Sequence, residues 1–313
     1  MKTVLTRSPS KAAGFIRAGG IVAFPTETVY GLGADVFDQT AIQKIFEAKD
    51  RPADNPLIAH VSELDQIRDL ARDIPSDAKK LIDSFFPGPL TIVFRKSARV
   101  PSIATAGLET IGIRMPKLAL AQEFLRACKV PVVAPSANLS GRPSPTTWQA
   151  VIEDLDRRID CILQGEATEI GLESTVVDCT SEYPLLLRLG GISLEALRGV
   201  VPEIEVLGSN APETVRSPGL RHKHYSPRAE VILFSRETEF SPVETDAYIG
   251  LHPAREGAAI SRVCASLEEY AACLFEFFRE CDRKGVKRIY CEAVEEQGIG
   301  AALMDRIRRA SES

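Results

Sequence analysis

Four cations in this 313-residue chain stand where an apolar run ends or a tight loop begins. A charge at such a place must be paired, reach solvent along its own stem, or face an anion. Lys49 and Arg51 belong to Lys49-Asp-Arg-Pro-Ala-Asp-Asn-Pro56, a loop held between prolines and followed by the apolar run Leu57-Ile-Ala-His-Val61. Two cations and an amide in a rigid loop suit a polyanion such as a triphosphate, and they equally suit a solvated surface loop. Arg114 ends Ile111-Gly-Ile-Arg114, and Arg188 ends Leu185-Leu-Leu-Arg188. For each of these the ordinary alternative is a structural ion pair.

Other polar groups occur at the ends of similar runs. Phe24-Pro-Thr-Glu-Thr-Val-Tyr-Gly-Leu-Gly33 leaves an apolar run, passes three polar residues and turns on two glycines, as either a structural turn or a loop whose amides approach a ligand. Ala134-Pro-Ser-Ala-Asn-Leu-Ser-Gly141 offers hydroxyls and an amide that could meet phosphate or ribose oxygens, or merely cap the next helix. Recurrence of such groups at five strand ends points to one anion-binding concavity. His60, inside an apolar run, reads more readily as a core histidine than as a catalytic one. The spacing His222-x-His224 lacks a third metal ligand nearby.

The elements that must position these residues follow from periodicity. Up to about residue 207, short β-branched runs alternate with amphipathic segments, the pattern of an α/β layer architecture. Strands are expected at 20–24, 57–61, 90–94, 111–114, 130–134, 161–163, 174–178 and 185–188. Several are apolar at both alternating positions, so the sheet should be covered on both faces. Helices are expected at 8–18, 40–48, 76–85, 117–128 and 146–155, with Thr40 and Gln43 at capping-box spacing. Residues 208–228 carry turn residues and cations without an apolar period and read as a linker. A smaller unit follows, with strands at 230–234, 246–250, 258–261 and 287–291, a helix over 266–284 opened by Ser266 and Glu269, and a last helix over 300–309.

Composition narrows the function. Lys and Arg number 38 against 43 Asp and Glu, a net charge of −5, which argues against a chain that mainly coats nucleic acid or an anionic membrane. Seven cysteines without zinc spacing suggest reduced thiols. No secretory leader or membrane-length apolar run is evident, so a cytoplasmic protein is expected. There is no Gly-x-x-x-x-Gly-Lys-Ser/Thr loop, no Gly-x-Gly-x-x-Gly, no His-Glu-x-x-His helix and no Gly-x-Ser-x-Gly elbow.

Taken in order, Pro25-Thr-Glu-Thr-Val-Tyr-Gly-Leu-Gly33, Lys49-x-Arg51 with Asn55-Pro-Leu57, Pro135-Ser-Ala-Asn-Leu-Ser-Gly141, Glu173-Ser-Thr-Val-Val-Asp178 and Leu187-Arg-Leu-Gly-Gly191 resemble the YrdC/Sua5 family of threonylcarbamoyl-AMP synthases. The resemblance spans the chain. Ser217-Pro-Gly-Leu-Arg-His-Lys-His-Tyr-Ser-Pro227 is similar to the linker of the two-domain Sua5 branch. It implies a YrdC-like twisted mixed sheet with flanking helices over 1–207, a linker or lid over 208–228 that includes His224 and Tyr225, and a small Rossmann-like α/β domain over 229–313.

The resemblance also implies condensation of L-threonine, bicarbonate or CO2 and ATP to threonylcarbamoyl-adenylate and pyrophosphate, a nucleotidyl transfer that needs Mg²⁺ with ATP. By motif, Thr28, His60, Arg114, Ala134 and Ser174 would line a threonine pocket. Arg51, Asn55, Thr110, Ser136, Ser144, Arg188 and Tyr225 would meet ATP, and Lys49 would lie beside the phosphates, with Lys49 and Arg51 as the catalytic cations. The product would pass to a tRNA threonylcarbamoyl transferase that modifies adenosine 37, with no stable nucleic-acid complex and no membrane association. The different-class alternative is a double-stranded RNA or tRNA-binding module without catalysis, which the acidic charge and the lack of RNA-binding aromatic signatures oppose. A third reading, a carbamoyl-phosphate-dependent enzyme of hydrogenase maturation, would require acylphosphatase and zinc-finger parts that are missing from this chain.

Overall fold

Apolar runs with no polar alternation become strands only when both faces of their sheet are covered, and that condition shapes the molecule. The computed structural model describes residues 2–52, 54–206, 225–235, 242–253 and 257–312. The strands of the larger part are β1 Val4–Thr6, β2 Val22–Phe24, β3 Gly31–Asp35, β4 Ile58–His60, β5 Leu90–Arg95, β6 Thr110–Arg114, β7 Val132–Ala134, β8 Cys161–Leu163, β9 Thr175–Asp178, β10 Leu185–Arg188 and β11 Glu205–Val206. They form one sheet in the order β1-β8-β2-β3-β7-β4-β6-β5-β9-β10-β11. Its pairings are mixed: β4 runs parallel to β6 and antiparallel to β7, and β5 runs antiparallel to β6 and parallel to β9.

Helices α1 Pro9–Arg17, α2 Gln39–Lys49, α3 Asp65–Leu70, α4 Ser76–Phe85, α5 Ala119–Cys128, α6 Trp148–Leu155 and α7 Leu194–Val200 flank this sheet. One apolar core joins α2, α4 and α7 to one face, and a second joins α1 and α5 to the other. Residues of β2, β4 and β7 are buried at every position, as double coverage requires.

The smaller part is a parallel sheet of β12 Glu230–Phe234, β13 Asp246–Gly250, β14 Ile260–Val263 and β15 Arg288–Glu292 in the order β12-β15-β13-β14. Helices α8 Leu267–Lys284 and α9 Ile299–Ser311 pack with it. Its core extends into the larger part, taking in Val29 and Leu172 beside Phe275 and Phe278. Among the described residues no helix is long and apolar enough to cross a membrane.

Three expectations are corrected. Helix α2 is capped by Asp38, whose Oδ1 accepts the amides of Thr40 and Ala41 at 2.9 and 3.0 Å. Gln43 meets Glu47 instead of closing a capping box, because an aspartate two residues before Thr40 already satisfies the first amides. Gly31 to Asp35 is a strand rather than a turn. A Cβ on Gly33 would lie 2.6 Å from Val132 Cγ1, so glycine there lets β3 pass close beneath its neighbours. The third strand of the smaller part lies two residues later than expected, at Ile260–Val263.

Candidate active site

The ends of β2, β4, β6, β7 and β10 converge on one polar cleft, the kind of concavity with a few convergent polar groups in which small ligands are held. Thr26, Thr28 and Val29 line it from the β2–β3 connection, Ile58 and His60 from β4, Arg114 from β6, Ala134 to Ser136 from the end of β7, and Arg188 from β10. Arg51, Pro56, Glu173, Ser174 and Tyr225 complete the wall. Strand ends supply these groups because the sheet fixes where each chain stops, while the following loop is free to display polar atoms.

One end of the cleft is built on Arg114, which is 4% exposed. Its Nη2 donates to Glu27 Oε1 at 2.6 Å, its Nη1 to Thr28 Oγ1 at 2.7 Å and its Nε to Gly88 O at 3.3 Å. Five guanidinium N–H groups less these three leave two, one on each terminal nitrogen, enough for a bidentate carboxylate. Glu27 Oε2 accepts the backbone amides of Lys117 and Leu118, so the carboxylate is itself fixed. Burial alone pushes the Glu27 carboxyl up, but the Arg114 charge and hydrogen bond outweigh it and hold its pKa below the usual 4.5.

His60 stands beside this pair. Its Nδ1 lies 3.1 Å from Ile58 O, and since a carbonyl only accepts, that nitrogen carries the proton. Burial, reinforced by the Arg114 charge, lowers the His60 pKa to about 3, so the ring is neutral at pH 7. It adds no positive charge to a substrate amine.

Elsewhere in the cleft wall, Arg51 donates through Nη2 to the carbonyls of Asn55 and Pro56, each at 3.2 Å. Burial lowers its pKa to about 10, which leaves it cationic at pH 7. Arg188 Nε donates to Ser174 O at 3.1 Å and Nη2 to Ser174 Oγ at 3.2 Å, and that hydroxyl also meets Thr91 at 2.8 Å. Glu173 accepts from Ser144 Oγ at 2.6 Å and from Arg306 Nε at 2.9 Å. Tyr225, at φ +70, stacks on Phe275 with ring centroids 5.3 Å apart. Burial, with Glu173 next, raises its pKa, so it is a neutral phenol.

Of the expected site residues, Thr28, His60, Arg114, Ala134, Ser174, Arg51, Ser136, Arg188 and Tyr225 line the cleft. Four do not. Lys49 is 1% exposed and its Nζ donates to Ser136 O at 2.6 Å and to Asn138 O. As the last residue of α2 it lies behind the loop that follows β7 and braces that loop's carbonyls, away from the cleft; its pKa falls well below the usual lysine value through burial and then the Arg51 charge. Thr110 sits at the far end of β6 opposite Arg95, four residues from Arg114. Ser144 reaches the cleft wall through Glu173. Asn55 offers its carbonyl to Arg51, and its Oδ1 is buried without a hydrogen-bond partner among the described residues. The linker residues 208–224, His224 included, lie outside the described residues.

Glu27, Glu173, Thr91 and Arg306 join the site without being singled out by sequence reasoning. Both acidic residues stand inside the recognised motifs, and that is the signal that could have found them. No group of three or more His, Cys, Asp or Glu suited to a metal occurs among the described residues, and both cleft carboxylates are already paired with arginines. The residues present do not fit a resident divalent ion.

Comparison with known proteins agrees with this layout. Residues 14–190 match the model of the Sua5, YciO and YrdC proteins, described as telomere recombination. Residues 192–312 match the threonylcarbamoyl-AMP synthase C-terminal domain. The threonylcarbamoyl-AMP synthase of Pyrococcus abyssi is 43% identical over 316 residues, covering 96% of this chain and 93% of that protein. Its Bacillus subtilis counterpart is 40% identical over 320 residues, covering 96% and 92%. The crystal structure of P. abyssi Sua5 complexed with L-threonine superposes with a TM-score of 0.89 at 40% identity, covering 99% of this chain and 97% of that one.

Proposed function

The chain belongs to the Sua5/YciO/YrdC family, and from that premise we propose that it is a threonylcarbamoyl-AMP synthase whose cleft holds L-threonine at the Arg114 end and ATP at the Arg51–Arg188 end. The observation that carries this reading is the cleft itself, whose lining joins Arg114 to two further cations, Arg51 and Arg188. Arg114 receives the threonine carboxylate on its two remaining N–H groups, with Thr28 and Ala134 closing that end. The deprotonated amine attacks CO2 to form the carbamate, its proton passing to solvent. A carbamate oxygen then attacks the α-phosphorus, the new P–O bond replacing the bond to pyrophosphate. From bicarbonate, water is the further product.

No nucleophile on the protein is needed. Arg51 and Arg188 offset the phosphate charge in a partly desolvated site, and orientation of three reactants supplies much of the rate. Mg²⁺ enters with ATP as part of the substrate and neutralises phosphate charge. The enzyme class is nucleotidyltransferase, the location is cytoplasmic, and the adenylate passes to a transferase that modifies adenosine 37 of tRNAs reading codons that begin with A.

The test incubates the protein with MgATP, labelled bicarbonate and each amino acid in turn, with mass detection of the adenylate. Label should appear in an adenylate, with unlabelled pyrophosphate released alongside it, only when threonine is present; labelled product with a different amino acid, or none with any, refutes the assignment.

A further inference from the structure

Two arginines of the smaller part are buried where it meets the larger one, and both act on the same loop. Arg306 of α9 is 0% exposed. Its Nε donates to Glu173 Oε2 at 2.9 Å, its Nη2 to Leu189 O at 2.8 Å, immediately after Arg188, and its Nη1 to Asp305. Its guanidinium carbon lies 5.1 Å from the Tyr225 ring centroid. The other Glu173 oxygen, Oε1, accepts a hydrogen bond from the Ser144 hydroxyl, so Arg306 orients Ser144 through one carboxylate.

Arg279 of α8 is 1% exposed. It donates to Asp154 Oδ2 at 2.8 Å and Oδ1 at 3.2 Å, and to Pro143 O at 2.5 Å. Asp154 in turn pairs with Arg142 at 2.5 Å and accepts the Leu139 amide at 3.3 Å. The loop from Leu139 to Ser144 is therefore gripped at its start through Asp154 and at its end through Pro143 and Glu173. Lys49 O and the Asn138 side chain also hold this loop from within the larger part, while the carboxylates at its two ends, Asp154 and Glu173, are each paired with an arginine of the smaller part.

We propose that Arg306 and Arg279 are positioning residues for the nucleotide end of the cleft, so that the smaller part sets the geometry of the Leu139–Ser144 loop and of the backbone after Arg188. The proposal rests on the ATP reading above. Burying two arginines with matched carboxylates costs desolvation that apolar packing would avoid, and forked geometry is what such a pair adds over apolar contact. Simple interdomain glue would need neither the fork nor the contact at Leu189. The threonine end is braced instead by Glu27, which neither arginine touches.

The experiment titrates the full-length protein calorimetrically with MgATP and, separately, with L-threonine, each without bicarbonate. Arg306→Lys and Arg279→Lys keep the charge and lose the fork, and each should weaken ATP binding roughly tenfold while threonine affinity stays within about twofold. Ser144→Ala combined with Arg306→Lys should be no worse than the larger single effect, because both act through Glu173. Should Arg306→Lys fail to fold, the charge-neutral pair Glu173→Gln with Arg306→Gln is titrated in its place, with the same ATP-selective loss expected. A folded variant with lowered Tm and unchanged ATP affinity, or one that weakens both ligands equally, overturns the proposal. Wild type that binds no ATP refutes the functional reading instead.

Discussion

Two buried ion pairs flank the cleft, and they face it in opposite senses. In Arg114–Glu27, at 2.6 Å, the cation lines the cleft and the carboxylate is its support, fixed by two backbone amides of its own domain. In Arg306–Glu173, at 2.9 Å, the carboxylate lines the cleft and the supporting cation comes from the C-terminal domain. The first pair offers leftover donors to an anion. The second fixes a hydroxyl and a stretch of backbone and spends its charge internally. The difference teaches that one end of the site is self-contained within the large sheet, whereas the other depends on how the second domain is seated.

The largest effect should come from removing the facing cation. Arg114→Ala takes away the carboxylate receptor and strands buried Glu27, for which the structural cost alone is about 3–5 kcal/mol. Threonine affinity should fall by roughly a hundredfold or more, as expected for a lost bidentate charged contact, with ATP affinity in the surviving folded fraction much less affected. Equal loss of both ligands would erase the distinction between the two ends. Gly171→Ala probes the other pair from a distance. Gly171 has φ +73, and a Cβ there would lie 2.4 Å from Ala272 Cα on α8, a backbone contact that no side-chain rotation relieves. The domains must part slightly, at a cost of about 1–3 kcal/mol. ATP binding should weaken and threonine binding should hold; unchanged ATP affinity would show that the seat of the second domain does not matter.

Glu27→Gln is milder, since the amide keeps an acceptor for Arg114 and loses only the charge. Threonine affinity should drop about tenfold, close to the weight of one charge-assisted hydrogen bond, with no change for ATP. A variant that binds threonine as well as wild type would show that Arg114 needs no anionic support.

How much of this could be read from the sequence depended on whether the signal was local. Arg114 and Arg188 betray themselves because a cation at the end of an apolar run is anomalous wherever the run lies, and Arg51 because it sits beside a second cation in a loop held between prolines. The strands 161–163 and 185–188 are equally local, and their bounds agree with the structure. Glu27 is different: an acid in a polar loop is unremarkable until the sheet brings it to an arginine 87 residues away. Arg306 is one of several cations in an amphipathic helix, and nothing in its neighbourhood marks it as fully buried. Lys49 misled for the converse reason. Its place beside Arg51 suggested phosphate, but its side chain leaves the last residue of α2 toward the carbonyls of Ser136 and Asn138, a contact made across 87 and 89 residues. The mixed pairing that makes Gly31–Asp35 a strand is likewise a property of its neighbours β2 and β7 and not of the segment.

A last effect, read in stability and without any ligand, separates the carboxylates from the histidine by pH. Glu27 and Glu173 have pKa values held below 4.5 by their arginines, so the stability they contribute is complete above that value and is lost as pH falls through the lowered ones. His60 works in a different window. Its pKa is lowered from 6.5 to about 3, so between those values the unfolded chain binds the proton and the folded one does not. Stability should therefore fall as pH drops from 6.5, with a slope approaching about 1.4 kcal/mol per pH unit from this one group, before either carboxylate contributes. Urea unfolding of ligand-free protein at half-unit steps from pH 7 to 4.5 measures it. His60→Gln should flatten that interval and leave the steeper loss below pH 4.5 in place, because the two ion pairs remain. A wild-type midpoint independent of pH between 6.5 and 4.5 would mean that His60 takes up its proton in the fold, and the Arg114 end of the cleft would then hold two cations against a single carboxylate.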